Sequence, residues 1–130
     1  MHTSVGAILE KDNKILMLNR KKKPLGWANP AGHVEENETF ENALIRELKE
    51  ETGLTAIKFE LVINEYIPWN ECSRGVKGHD CYIFQITEWN GELRLAEDEA
   101  HDLKWVELEN LKKIKLEPLW EYFLKKLNKI

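Results

Sequence analysis

The sequence predicts an α+β or α/β sandwich with a mixed β-sheet. At 130 residues it has the size of one compact domain, enough to bury roughly two-thirds of the surface its unfolded form exposes, so one domain over residues 1–130 is expected. Apolar residues at 42% and charged residues at 32% describe an ordinary globular chain rather than a disordered or membrane one. The order of signals along the chain, two strands, a helix, several strands and a closing helix, is that of helices packed on a mixed sheet.

Each element has a local reason. Ser4 to Glu10 and Lys14 to Asn19 read as short strands, with Lys11, Asp12 and Asn13 supplying hairpin turn chemistry between them. Arg20 to Leu25 reads as a basic, proline-containing loop, and Trp27 to Val34, with Asn29, Pro30 and Gly32, as an extended segment that turns sharply. Phe40, Ala43, Leu44 and Leu48 recur at helical spacing, and Ile45 widens the stripe. A helix over 40–52 follows, with Thr39 as N-cap and Gly53 as the left-handed residue after its end. Ala56 to Ile67 and Asp80 to Thr87 are β-rich and pair across a polar loop from Asn70 to Gly78. Glu92 to Leu95 and Leu103 to Glu107 are shorter strand candidates. Pro118, followed by Leu119, Trp120, Phe123, Leu124 and Leu127, predicts a closing amphipathic helix.

Composition excludes several function classes. Nineteen basic against twenty-three acidic residues leave a net charge of −4, which argues against a broad nucleic-acid-binding face. Apolar runs such as Val5 to Leu9 fall far short of the roughly 20 residues of a membrane span. The N-terminus lacks the charged start, apolar stretch and cleavage site of a secretory signal, so a cytoplasmic location is expected. Cys72 and Cys81 form neither a disulfide framework nor a CxxC motif and read as free thiols. With no GxSxG and only Ser4 and Ser73 as serines, serine-hydrolase chemistry gains no support.

The charge is unevenly placed. Between Glu35 and Glu51 seven glutamates face only Arg46 and Lys49, so this stretch carries −5 and the rest of the chain +1. Glu47, Glu50 and Glu51 stand at i, i+3 and i+4, which puts three carboxylates on one helical ridge. Like charges at these spacings each cost an isolated helix roughly 0.2–0.5 kcal/mol, and the helix dipole also disfavours anions at this end. Patterning for stability alone would place lysines here. Two readings follow from spacing: a solvated acidic face moderated by Arg46 and Lys49, or a site for a hard divalent cation, Mg²⁺ or Mn²⁺, which prefers carboxylate oxygen.

A longer pattern contains this ridge. Gly32, five residues, Glu38, seven residues and then Arg46-Glu47-Leu48-Lys49-Glu50-Glu51-Thr52-Gly53-Leu54 fill nine fixed positions in 23 residues. The pattern resembles the full signature of the Nudix hydrolase family, MutT-like members included. The lead-in from Trp27 to Glu35 also looks like the family's usual approach, with Ala31 where a second glycine is common. The resemblance implies an α/β/α sandwich with a mixed sheet. It further implies that Glu47, Glu50, Glu51 and the main-chain carbonyl of Ala31 hold Mg²⁺ or Mn²⁺, that Arg46 orients Glu47, and that Glu38 supports the turn and the arginine. The implied reaction is hydrolysis of a nucleoside diphosphate linked to another group, at a phosphorus–oxygen bond within the phosphate chain.

Such a reaction needs neutralised phosphate oxygens and a water in line with the leaving oxygen, both of which cations on the ridge supply. In the family the general base is either the Glu47 equivalent or an acid in a later loop. Among Glu97, Asp98 and Glu99 we favour Glu99, six residues before Trp105, although a solvated acidic turn explains the three as well. Arg20, with Lys21 to Lys23, is a candidate to draw in phosphates, and a charged surface loop is the alternative. Trp27, Tyr66 and Trp69 are candidates for stacking on a base, against core or rim packing. His33, His79 and His101 are scattered and match no zinc spacing. Pro68 lies close to where ADP-ribose-cleaving members often carry a proline. The expected substrate is a nucleoside triphosphate, normal or oxidised, cleaved to monophosphate and pyrophosphate. ADP-ribose or another nucleotide sugar is the second class, and a non-catalytic nucleotide-binding module is the competing function. Trp120, Tyr122 and Phe123 suit a subunit contact or the core equally, so monomer and homodimer both stay open.

Overall fold

The computed structural model describes residues 2–71 and 77–130, the side chains of Glu71 and Lys77 aside. In chain order the elements are β1 (His2–Ile8), β2 (Glu10–Lys11), β3 (Lys14–Arg20), β4 (Gly26–Ala28), β5 (Ala31–His33), α1 (Phe40–Thr52), β6 (Leu54–Glu71), β7 (Lys77–Gly91), β8 (Ala100–Glu107), a 3₁₀ helix (Leu108–Lys113) and α2 (Pro118–Lys126). One sheet has the order β5-β1-β7-β6, with β1 and β7 parallel and the other pairs antiparallel. The second is antiparallel, with β3 flanked by β2 and β4 and by β8. Alternating side chains of β1 build two cores. Val5 and Ala7 pack with Ala43, Leu44 and Leu48 of α1, whereas Ile8 packs with Trp120, Phe123 and Leu124 of α2. The result is the expected α/β sandwich, one helix on each face of a mixed sheet.

The helix that carries the ridge has the predicted bounds. Thr39 Oγ1 accepts the Asn42 N–H at 3.1 Å. Gly53, at φ 81°, donates its N–H to Lys49 O, and a Cβ there would stand 2.5 Å from the Glu92 carbonyl. That approach also corrects one expectation. Glu92 to Leu95 form no strand, because the segment covers the end of α1, with Arg94 N–H bonded to Thr52 O at 2.8 Å.

The hairpin at 11–13 needs a second correction. Asp12 and Asn13 have the positive φ values, 54° and 61°, that a two-residue turn requires, but the turn joins β3 to the two-residue β2. The segment read as one strand from Ser4 to Glu10 breaks at the fully buried Leu9. Before it the chain belongs to one sheet and after it to the other. β6 and β7 run well past their predicted ends, from the Leu54–Gly91 pair to the Glu71–Lys77 pair, and take in both ends of the predicted loop. Cys72 and Ser73 lie outside the described residues. Cys81 is buried and free, and burial pushes its thiol up to about 12. Trp120 and Phe123 are core residues, and the half-buried Tyr122 bonds through its hydroxyl to Glu65. Among the described residues no helix is long and apolar enough to cross a membrane.

Candidate active site

The ridge of α1 packs against β5, and the contact is made possible by a missing side chain. A Cβ at Gly32 would fall 2.0 Å from Glu47 Cδ, so only glycine lets the Glu47 carboxylate lie against this strand. One turn later Glu51 Oε1 accepts the main-chain N–H of Ala31 at 2.7 Å. Ala31 does not need the left-handed conformation, since the positive-φ residues other than glycine among those described are Asp12, Asn13, Asn37 and Asn128. Alanine therefore serves where a second glycine is common. Glu50, on the same ridge, points to solvent.

Arg46 ties these parts together. Its Nε and Nη2 grip both oxygens of Glu38 at 2.8 and 2.9 Å, Nη2 also reaches His33 O at 2.9 Å, and Nη1 donates to Glu47 Oε1 at 2.8 Å and Glu50 Oε2 at 3.4 Å. Glu38 in turn accepts the Glu35 N–H at 3.0 Å, which closes the turn before the helix. A forked guanidinium suits this task because its donors are fixed in one plane.

These contacts divide the acids into two groups. The Arg46 hydrogen bonds hold Glu38 down at about 2. Burial pushes Glu47 up to about 7 against the opposing pull of Arg46, and it pushes Glu51 well above the ordinary range, with the charge of Glu47 adding to the effect. Burial likewise pushes Glu117 up to about 7, and Arg20 offsets this only in part. A carboxyl whose folded value exceeds its unfolded 4.5 binds more protons when folded, so its stabilising contribution is lost as pH rises towards 7. A shift from 4.5 to about 7 corresponds to roughly 3 kcal/mol. Glu38 is ionised throughout that window, and His79, which burial lowers from 6.5, opposes three acids alone. The urea midpoint of protein kept free of divalent cations is thus expected to be higher at pH 5.5 than at pH 8; a flat or rising profile would contradict the burial of these three acids.

The ridge opens into a cleft of about 570 Å³, lined also by Arg20, Lys22, Glu99, Glu117 and Trp120. Of the sequence candidates, Arg20, Glu99, Ala31, Gly32, Arg46, Glu47, Glu50 and Glu51 meet there. Glu38 stands behind Arg46, and Gly53 ends the helix. Arg20 Nε is engaged with Pro24 O at 2.9 Å and lies 3.5 Å from Glu117, while Glu99 pairs with Lys22 Nζ at 3.2 Å. Lys21 bonds to the main chain of Glu97 and is not among the residues lining the cleft. The Trp27 ring packs against the α2 core, with Lys104 Nζ 5.0 Å from its centroid, and is not among the residues lining this cleft. Its main chain carries the Glu117 segment instead, through the 2.9 Å bond from Glu117 N–H to Trp27 O. Tyr66 and Trp69 are half-exposed on β6 and also lie outside the lining.

A model of the NUDIX domain matches residues 1–127. The chain belongs to the Nudix family. It is 40% identical over 114 residues to an ADP-ribose pyrophosphatase of Methanocaldococcus jannaschii, covering 85% of this chain but 64% of that protein. To an 8-oxo-dGTP diphosphatase of Buchnera aphidicola it is 34% identical over 111 residues, 83% of this chain and 78% of the relative. A MutT NUDIX hydrolase crystal structure from Burkholderia pseudomallei superimposes with a TM-score of 0.83 over 95% of both chains at 24% identity, which shows the shared Nudix fold.

Two features of this Nudix cleft escaped sequence reasoning. Glu117, 3% exposed, enters it from the start of α2, where the sequence signals only a helix beginning. His33 and His79, which look scattered in the chain, stand together with His2, while the exposed His101 on β8 does not join them. Only strand register brings these together, and register is invisible in spacing.

Proposed function

We propose that this chain is a divalent-cation-dependent pyrophosphohydrolase that cleaves a nucleoside diphosphate linked to another group, with a nucleoside triphosphate, normal or oxidised, as the first candidate. The observation that carries this reading is Glu51: it is 8% exposed, has one hydrogen bond, from Ala31 N–H, and has no cationic side chain within salt-bridge distance among the described residues. A buried carboxylate in this state is costly unless a cation joins it. Glu47 and the exposed Glu50 complete an all-oxygen donor set with the Ala31 carbonyl, which fits Mg²⁺ or Mn²⁺. When bound, such ions neutralise phosphate oxygens and acidify a water.

The protein's own groups do the rest. Arg46 holds Glu47 in place and Glu38 holds Arg46, so the ridge is set before substrate arrives. Arg20 and Lys22 offer positive charge to the phosphate chain at the cleft wall. Glu99, on the same wall, takes the proton of the attacking water as its oxygen bonds to phosphorus and the anhydride oxygen leaves with the electron pair. A second reading, ADP-ribose or another nucleotide sugar, is favoured by the similarity to the Methanocaldococcus jannaschii ADP-ribose pyrophosphatase.

The test is a nucleotide panel with and without Mg²⁺ and identification of products. Monophosphate plus pyrophosphate from a triphosphate supports the first reading; AMP plus ribose 5-phosphate from ADP-ribose supports the second. Tight nucleotide binding with no turnover would instead mark a non-catalytic module.

A further inference from the structure

Strand pairing gathers three imidazoles that lie far apart in the chain. His2 of β1 sits opposite His79 of β7, and His33 of β5 sits opposite Ser4 of β1. Paired residues share a face, and Ser4 shares that of His2 two positions on, so all three rings stand on the same side of the sheet. It is the side on which Ile8 meets α2, opposite to the α1 ridge. One nitrogen from each ring lies within 4.8 Å of the others.

The geometry of the closest pair is informative. His33 Nε2 and His79 Nε2 are 3.4 Å apart, and two nitrogens bound tetrahedrally to one Zn²⁺ at about 2.0–2.1 Å stand roughly 3.3–3.4 Å apart. The rings of His2 and His33 meet edge-on at 86°, and those of His2 and His79 at 77°, so they converge rather than stack. His79 is 1% exposed, and Nδ1 of His2 is shielded from solvent with no hydrogen-bond partner among the described residues. A buried nitrogen in this condition is uncommon and calls for a partner.

We propose that His2, His33 and His79 form a site for a borderline divalent transition metal, Zn²⁺ in the first place, separate from the carboxylate site. An all-imidazole set suits Zn²⁺, Co²⁺ or Ni²⁺ and is a poor match for Mg²⁺, which the oxygen donors of the ridge prefer. His2 stands at the start of β1. Three ligands leave one coordination position for water or an anionic oxygen. Because His33 and His79 also line the cleft, a phosphate group held there is a suitable fourth ligand. The bond from Arg46 to the His33 carbonyl, 2.9 Å, fixes the end of β5 that presents one ligand.

Cobalt is a direct probe, since tetrahedral Co²⁺ absorbs visible light and Zn²⁺ displaces it. With excess Mg²⁺ present to hold the carboxylates, the folded protein is expected to take up one equivalent of Co²⁺, to show tetrahedral absorption and to lose it on addition of Zn²⁺. His2→Ala and His33→Asn are each expected to weaken Zn²⁺ binding by roughly 100-fold or more, beyond the usual loss of an outer partner, while Glu50→Gln leaves it intact. His2 is half-buried at a strand start, so its variant keeps the test valid even if replacement of His79 disturbs the core. Absent cobalt absorption, binding indifferent to both histidine variants, or competition by Mg²⁺ would each overturn the site. The readout is metal binding, so none of these results bears on the proposed hydrolysis.

Discussion

Glu51→Gln is expected to abolish hydrolysis and, at the same time, to raise the stability of the protein freed of divalent cations. The two effects have one cause. Burial makes the ionised Glu51 carboxylate unfavourable, with the charge of Glu47 adding to the cost, and one hydrogen bond from Ala31 offsets only part of it. Glutamine has the same shape and keeps an oxygen for the Ala31 N–H but carries no charge to desolvate. Its folded form therefore gains relative to wild type above pH 4.5, and the gain grows as the pH rises, because that is where the wild-type group is increasingly forced to ionise. Catalysis loses a cation ligand worth several kcal/mol in the transition state, and at about 1.36 kcal/mol per factor of ten the rate falls by about three orders of magnitude. Glu50→Gln makes the control. Its side chain is 59% exposed, so the variant should lose comparable activity without the rise in melting temperature. Thermal melts at pH 8 in chelator, set beside steady-state rates in Mg²⁺, read both quantities. If Glu51→Gln melts no higher than wild type, Glu51 is not the buried, cation-seeking group described above.

Gly32→Ala is expected to act almost entirely on Glu47. The new Cβ would fall on the Glu47 carboxyl group, 2.0 Å from Cδ and 2.3 Å from each oxygen. Those atoms end a flexible side chain, so the clash is relieved when Glu47 swings away and its bond from Arg46 breaks. Overpacking costs about 1–3 kcal/mol where a core must shift, and this side chain can move, so stability should change by no more than about 1 kcal/mol. Activity depends on placement, where an error of about 1 Å can cost 100-fold, and kcat should fall by at least roughly that factor. A double-mutant cycle makes the link to Glu47 testable. Gly32→Ala combined with Glu47→Ala should be no slower than Glu47→Ala alone, because both remove the same carboxylate from the same place. Additive losses would mean that Gly32 acts on something else.

Local physics wrote the α1 region plainly into the sequence. The Phe40–Thr52 helix, its Thr39 cap and its Gly53 end depend on neighbours within a few residues, and the ridge follows from 3.6 residues per turn. What stayed hidden depends on partners distant in the chain. Residues 92–95 look like a strand in isolation but are claimed by the C-terminus of α1. That Trp27 packs against the α2 core follows from the pairing of β4, which its sequence neighbours do not disclose. The chain's change of sheet at Leu9 has no sequence mark, since a fully buried leucine reads the same inside a strand as between two. The role of Gly32 was visible as a motif position, but its reason, contact with a side chain fifteen positions later, needed the packing of helix on strand.

The parallel pairing of β1 with β7 has a kinetic consequence. β6 and β7 are close in sequence and zip together locally, whereas β1 joins β7 across nearly eighty residues. Contacts between segments so far apart form slowly, because the chain entropy lost in closing the loop comes before the stabilisation it yields. Docking of the N-terminal strand on β7 is then expected to be a late event in folding. A folding chain is thus expected to hold the β6–β7 hairpin well before it has a working cleft.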